Sequence, residues 1–472
     1  MKRTIFLILI FFYTSSVFAQ SLKNDLQKTW QQFEADSQLQ YASASLTVLD
    51  AENGNVIFSK NENTGLAPAS TLKTVTAATA YYLLGKEYKW ETVLGYNGTV
   101  NAIGELKGDL ILKGTGDPTL GSHRFERATK ETLLKRWVQA VKKAGIKTIS
   151  GRVIADDALF GSQSLPQGWI WQDIGNYYGA GSTAVTWGEN QFDLVFKPGK
   201  KAGEPVTLVR TEPQMPDLEI INEVLTGEAG TGDQVYAFSA PFSTVVYLRG
   251  TYAIDLKKEV SASVPDPAKE TALRLATALK SAGIDTDPAD AVTNRILKAN
   301  DKSPARISKS IDVYTSPSFD SVIYWLNKKS INLYAENILK TLAVKAGEDG
   351  TTIKGTEVVK DFWNKKLGID KNSMNILDGS GLSPENRITT LTMAKILQSI
   401  QSEDWFEGFY ESLPLYNNMK MKSGTIHNGL AYCGYQTSSS GKRLVFSLIV
   451  NNYNGKTALM RQKMFRLLDE LK

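Results

Sequence analysis

Ser70 and Lys73, in Ser70-Thr71-Leu72-Lys73, are a pair whose types and spacing suit nucleophilic chemistry. Residues three apart on a helix share one face, so the hydroxyl and the amine become neighbours. A serine hydroxyl attacks a carbonyl only when something takes its proton, and a lysine can do so only as the neutral amine. Burial or a nearby second cation favours that neutral form. The segment suits burial, because Leu72, Val75, Ala77, Ala78, Ala80 and Leu83 leave it without a clear polar face. Two further polar triplets follow: Ser330-Ile331-Asn332, and Lys422-Ser423-Gly424 leading into Thr425. Each is weak alone, since Ser-x-Asn is commonly a helix cap and Lys-Ser-Gly commonly a turn.

The elements that must position these groups are legible as patterns. Tyr41 to Leu49 alternates as a strand, Asn53-Gly54 turns the chain, and Asn55 to Ser59 returns as the second arm of a hairpin. The spacing predicts a buried central helix over Ser70 to Leu84, preceded by Pro68 and closed by Gly85. From about residue 86 to 310 the texture changes to short β-like segments, such as Leu110 to Lys113 and Gly151 to Ile154. A helix follows Pro267, from Glu270 to about Ser281. Helical patterning resumes at Phe319 to Lys328 and Leu333 to Lys345, with Ser330 at the junction. Leu430 to Thr437 and Arg443 to Asn451 read as a strand pair. A last helix puts Met460, Met464, Leu467, Leu468 and Leu471 on one stripe, for packing on a sheet.

Bulk properties exclude several classes. Lys2 and Arg3, the apolar run Ile5 to Tyr13, and Val17-Phe18-Ala19 before Gln20 have the grammar of a secretory signal peptide over residues 1–19. No other apolar run reaches membrane-spanning length, so no integral membrane segment is expected after cleavage. The 54 basic and 49 acidic residues give a formal charge of +5, without a basic block that would point to nucleic acid. Cys433 is the single cysteine, which forbids an intrachain disulfide and reads as a small core residue. With only His123 and His427, multi-histidine metal sites are nearly excluded. Gly114-Thr115-Gly116 lacks the Gly-Lys-Ser/Thr ending of a phosphate loop, and no cofactor is expected.

In their order, the three polar motifs match the Ser-x-x-Lys, Ser-x-Asn and Lys-Thr-Gly signature of penicillin-interacting serine enzymes. The chain resembles the class C low-molecular-mass penicillin-binding proteins of the penicillin-binding protein 4 type. That resemblance runs through Ala67 to Lys73, Gly116 to Leu120, Gly151 to Phe160, Gly168-Trp169 with Trp171, Asp266 to Ala268, Lys329 to Leu333 with Ala335-Glu336, and Asp378 to Ser383. It implies an α/β (α+β) fold of transpeptidase/β-lactamase type, an antiparallel sheet sandwiched by helices with a large inserted β-rich region. The catalytic domain would comprise residues 20–85 and 311–472, and residues 86–310 would form the insertion, as two nested domains.

The resemblance also implies a function: a periplasmic serine D-Ala-D-Ala carboxypeptidase or DD-endopeptidase. Its partners would be peptidoglycan stem peptides, with β-lactam antibiotics as covalent inhibitors. Ser70 would be the nucleophile, Lys73 its base, Ser330 a proton relay, Asn332 a binder of the substrate amide, and Lys422 the second cation. Ser423, Gly424 and Thr425 would line the substrate. Asp156 matches a family position near the substrate's free amine, although an aspartate in a turn after a strand accounts for it equally. Three departures stand out: Ile331 where Asp is frequent, Ser423 where the triplet usually has Thr, and Pro384 where many relatives have Arg. Either Arg387 substitutes for that last group or side-chain recognition differs. A serine β-lactamase and a catalytically silent wall-binding protein are the rival readings.

Overall fold

The computed structural model describes residues 21–300 and 302–472. The signal-peptide reading of residues 1–19 lies outside them. The described chain divides into two compact units. The first holds the residues through Leu83 together with Ile323–Ser330 and Thr356–Lys472; the second holds Leu84–Val322 and Ile331–Gly355.

The first unit is built on a six-stranded sheet in the spatial order Val56–Lys60, Ser43–Asp50, Arg443–Asn451, Gly429–Thr437, Met419–Ile426, Leu415–Tyr416. Every neighbouring pair is antiparallel. Its central strands are apolar on both sides, so helices must cover both faces. Alternation assigns each side chain to a face. Leu46, Val48, Phe446, Leu448 and Val450 point into a core closed by the helix over residues 21–34 (Leu26, Trp30) and the helix Thr457–Asp469 (Met460, Met464, Leu467, Leu468). The intervening residues face the helix Thr390–Ser399, where the Thr390 hydroxyl meets Ser45 Oγ at 2.6 Å and Thr47 Oγ1 at 2.9 Å.

The predicted central helix is present as a 3-10 turn, Ala69–Thr71, running into an α-helix, Leu72–Leu84. Its residues are buried from Leu72 through Tyr81. Trp363 Nε1 donates to Thr79 Oγ1 at 2.8 Å, and Tyr81 stacks on Trp405 with centroids 4.6 Å apart. Neighbours on all sides explain why its sequence shows no polar face.

The second unit contains a five-stranded sheet, Val292–Thr293, Val153–Asp156, Leu110–Lys113, Glu91–Tyr96, Lys309–Thr315, covered by the helices Lys130–Lys143 and Pro267–Ser281. The first of those helices lies inside the region read as β-rich and adds an element that the reading did not name. Thr129 caps it, its hydroxyl accepting from Thr132 N, and Leu133, Trp137 and Val141 form its buried stripe. A second core gathers Phe192, Leu194, Val235, Leu248, Tyr252 and Val260 from a three-stranded and a four-stranded sheet. In the latter, Val245–Ala253 is central and Asp233–Phe238 pairs with it antiparallel.

Candidate active site

Ser70 lies in the 3-10 turn at the head of the central helix, and three features hold that turn. The Asn451 side chain clasps Ala67 from both sides of the peptide: Ala67 N donates to Asn451 Oδ1 at 2.7 Å, and Asn451 Nδ2 donates to Ala67 O at 3.1 Å. The Thr71 hydroxyl donates to Pro68 O at 2.7 Å. Ala69 sits at φ 47°, in the left-handed region, a strain of about 1–3 kcal/mol that only a well-determined environment sustains.

Lys73 is fully buried on the next turn. Its Nζ donates to the Ser380 carbonyl at 2.7 Å and stands 3.0 Å from Ser70 Oγ. One N–H is thereby fixed on a carbonyl while the nitrogen faces the hydroxyl. The carbonyl belongs to a loop organised by the buried Asp378. Gly381 N donates to its Oδ1 at 2.8 Å, Ser383 N to its Oδ2 at 2.7 Å, and Asn386 Nδ2 to its Oδ1 at 2.8 Å. The neighbouring Gly379 carbonyl accepts from the Thr76 hydroxyl at 2.7 Å, joining loop to helix. At Gly381, φ is +82° and a Cβ would fall 1.8 Å from Ala69 O, so only glycine fits this loop against the nucleophile's turn. The resemblance marked Asp378 to Ser383 without giving it a task; the contacts supply one.

The strand Met419–Ile426 brings the Lys-Ser-Gly triplet alongside. A Cβ at Gly424 would lie 2.8 Å from Ser70 N and 2.5 Å from Pro68 O, so this strand passes directly against the turn. Lys422, two residues earlier on the same strand face, is buried; its Nζ donates to Ser330 Oγ and to Ser423 O, both at 2.9 Å. Burial pushes the Lys422 ammonium down to about 8, against a smaller upward pull from the Cys433 thiol, its cross-strand neighbour. Cys433 is itself buried, with its sulfur 3.7 Å from the Thr74 hydroxyl. Ser423 is half-buried and Thr425 exposed. Leu415–Tyr416 pairs with Met419 and Lys420, and Pro414 O accepts from Met421 N at 3.0 Å. Among the described residues, no strand pairs with the outer side of this one from Lys422 onward.

Ser330 follows the helix Phe319–Lys329 and takes φ 57°, so the helix ends there. The Asn327 side chain braces that helix by donating to Ser412 Oγ at 2.8 Å. Within the first unit, therefore, Lys73 meets both Ser70 and Ser380, Gly424 abuts Ser70, and Lys422 joins Ser330 to Ser423.

Asn332 and Asp156 belong to the second unit. Asn332 opens the helix Asn332–Lys345, and its Nδ2 donates to the Tyr178 carbonyl at 2.8 Å. Asp156 ends the strand Val153–Asp156, and its carboxylate accepts from Ala158 N at 3.3 Å, the hydrogen bond of the turn reading. Arg387, in the first unit, folds back with Nη1 on the carbonyls of Pro384 (2.6 Å) and Asn386 (2.7 Å). His427 is exposed.

A family model described as the D-Ala-D-Ala carboxypeptidase 3 (S13) family matches residues 26–471. Over 456 residues the chain is 25% identical to a D-alanyl-D-alanine carboxypeptidase of Actinomadura sp. (strain R39), covering 90% of this chain and 81% of that one. The crystal structure of penicillin binding protein 4 (dacB) from Haemophilus influenzae matches with a TM-score of 0.77 at 22% identity, over 95% of this chain and 99% of the other. The same protein complexed with a novel β-lactam matches at 0.72 and 22%, over 92% and 96%. At such identity the structural likeness establishes the fold, a transpeptidase-like sheet between helices.

Proposed function

The chain belongs to the D-Ala-D-Ala carboxypeptidase 3 (S13) family of serine-type peptidases, and from that premise we propose how its own residues divide the cleavage of a D-alanyl-D-alanine terminus. Ser70 Oγ attacks the carbonyl of the penultimate D-alanine while its proton passes to Lys73 Nζ. The observation that carries this assignment is the 3.0 Å approach of the two atoms, with Lys73 anchored on Ser380 O. Burial of Lys73 favours its neutral form, and Lys422 as a second cation adds to that pressure.

The oxyanion that forms is received by the N–H groups of Ser70 and Thr425, each donor worth on the order of 3 kcal/mol. The contact of Gly424 with Ser70 N supports that pairing. When the C–N bond breaks, the amine of the departing D-alanine takes a proton from Ser330 Oγ, which Lys422 re-protonates across 2.9 Å. Asn332 binds the substrate amide, and Ser423 and Thr425, backed by Lys422, receive the terminal carboxylate. Asp156 receives the free amine of the stem peptide. Water then hydrolyses the Ser70 ester, giving up a proton that returns by way of Ser330 to Lys422, while Ser70 Oγ takes back the proton held on Lys73, which releases the shortened peptide and restores the hydroxyl. From Lys422 to Ile426 the outer side of the strand Met419–Ile426 offers main-chain groups to an extended peptide.

Peptidoglycan stem peptides are the substrates, cleaved as carboxypeptidase or endopeptidase. β-Lactams inhibit by acylating Ser70; that the Haemophilus influenzae protein forms a complex with a β-lactam supports the binding. Residues 1–19 direct export to the periplasm. D-Alanine release from a D-Ala-D-Ala peptide, compared between wild type and Ser70→Ala, tests the reading, together with the mass of the penicillin adduct. A protein that neither releases D-alanine nor takes up penicillin on Ser70 would overturn it.

A further inference from the structure

The outer face of the second unit's four-stranded sheet carries aromatic side chains where a solvated face would normally carry polar ones. Along Asp233–Phe238 and Val245–Ala253, Val235, Ala237, Val246 and Leu248 point into the core. Tyr236, Phe238, Tyr247 and Arg249 therefore point outward, and the register sets Phe238 opposite Tyr247 and Tyr236 opposite Arg249. The Arg249 guanidinium lies 5.4 Å from the Tyr247 ring and 5.8 Å from that of Phe238. Trp171 extends the row, 6.2 Å from Phe238 and 54% exposed.

The segment bearing Trp171 is fastened to this sheet. Ala237 N donates to Asn176 Oδ1 at 3.2 Å, and a Cβ on Gly175 would sit 2.1 Å from Ala237 O. Two residues beyond Asn176, the Tyr178 carbonyl accepts from Asn332. One short stretch thus carries an aromatic plane at one end and the clamp on Asn332 at the other.

We infer that this face is a binding surface for the glycan strand of peptidoglycan, a subsite that holds the sugars bearing the stem peptide. A pyranose ring offers a flat C–H face to an aromatic plane and hydroxyl or amide groups around its rim. Tyrosine and tryptophan match that pattern, each with an apolar body and a polar tip. Arg249 donates to Glu223 Oε2 at 2.6 Å, so the pair supplies hydrogen-bonding groups without unbalanced charge. A neutral, polar ligand complements such a face, whereas an anionic lipid surface is drawn by clustered cations. The inference deepens the peptidase reading and rests on it for the identity of the substrate.

The test compares wild type with Trp171→Ala/Tyr247→Ala on two substrates: a sugar-free D-Ala-D-Ala stem peptide, and the same peptide attached to soluble glycan strands. The double variant is expected to raise KM for the glycan-linked substrate about tenfold, two aromatic contacts being lost, with kcat and the sugar-free kinetics unchanged. Trp171→Phe should restore most of the loss. In parallel, full-length protein is passed over immobilised peptide-free glycan strands and over neutral lipid vesicles, with retention expected on the glycan alone. Equal losses on both substrates, equal wild-type KM values, or retention on vesicles instead would each overturn the inference. A wild type that releases no D-alanine from either substrate would sink the peptidase reading, while retention on peptide-free glycan would still decide the surface.

Discussion

Gly381→Ala isolates how tightly the Asp378 loop sets the nucleophile. The added methyl would fall 1.8 Å from Ala69 O and 2.4 Å from Ala69 C, where ordinary contact begins at 3.4 Å. Loop or turn must therefore separate by about 1.5 Å, and a displacement near 1 Å at reacting groups can cost on the order of 100-fold in rate. The left-handed φ of +82° adds about 1–2 kcal/mol of strain for any L residue. Gly441 is the matched control, because it also has φ +82° but nothing lies within 4 Å of its would-be Cβ. Gly441→Ala should lose about 1–2 kcal/mol in urea unfolding and acylate normally. Gly381→Ala, kept at a temperature where circular dichroism shows it folded, should lose comparable or greater stability and about 100-fold in the second-order rate of labelling by a fluorescent penicillin. Wild-type labelling rates in folded Gly381→Ala would refute the view that this loop places Ser70 and Lys73.

Three other expectations follow from named contacts. Asn451→Ala removes both bonds to the Ala67 peptide and should cost about 2 kcal/mol in urea unfolding, with slower penicillin labelling. Lys422 is held near 8, below its unfolded value, so the unfolded chain binds the extra proton between about pH 8 and 10.5. Wild type should accordingly gain stability relative to Lys422→Met across that window, by roughly 3 kcal/mol at most, as followed by pH-dependent urea midpoints. Asp117 is pushed up to about 6 by burial, with its Oδ2 lacking a hydrogen-bond partner, so the penalty on its charged form is absent below about pH 4 and complete above about 6. Relative to Asp117→Asn, wild type should lose up to roughly 3 kcal/mol as pH rises through that range; a flat difference would count against it.

Short-range patterns in the sequence carried a large part of this architecture. Leu110–Lys113 forms the strand that its residues predict, and Arg443–Asn451 does as well. The stripe of Met460, Met464, Leu467, Leu468 and Leu471 is buried as its spacing requires. The helix read from Glu270 begins instead at Pro267, because Asp266 caps it by accepting from Lys269 N. In the site, Ser70 and Lys73 were legible because three residues on one turn are neighbours by geometry. The clasp of Asn451 on Ala67, the Asp378 loop and the Ser380 carbonyl joined to Lys73 were not. The first and the last join residues hundreds of positions apart, and the bonds within the Asp378 loop span three to eight residues with no repeat, so neither kind leaves a periodicity to read.

The pairing of Ser43–Asp50 with Arg443–Asn451 fixes the order in which the polypeptide can mature. The strand Ser43–Asp50 keeps one flank open until Arg443–Asn451, about four hundred residues later, has been made. Local structure in the second unit has no such wait, so the nucleophile's sheet is the final piece to close. A ribosome stalled short of residue 443 would release a chain with a bare β-edge, the kind of surface on which aggregation starts.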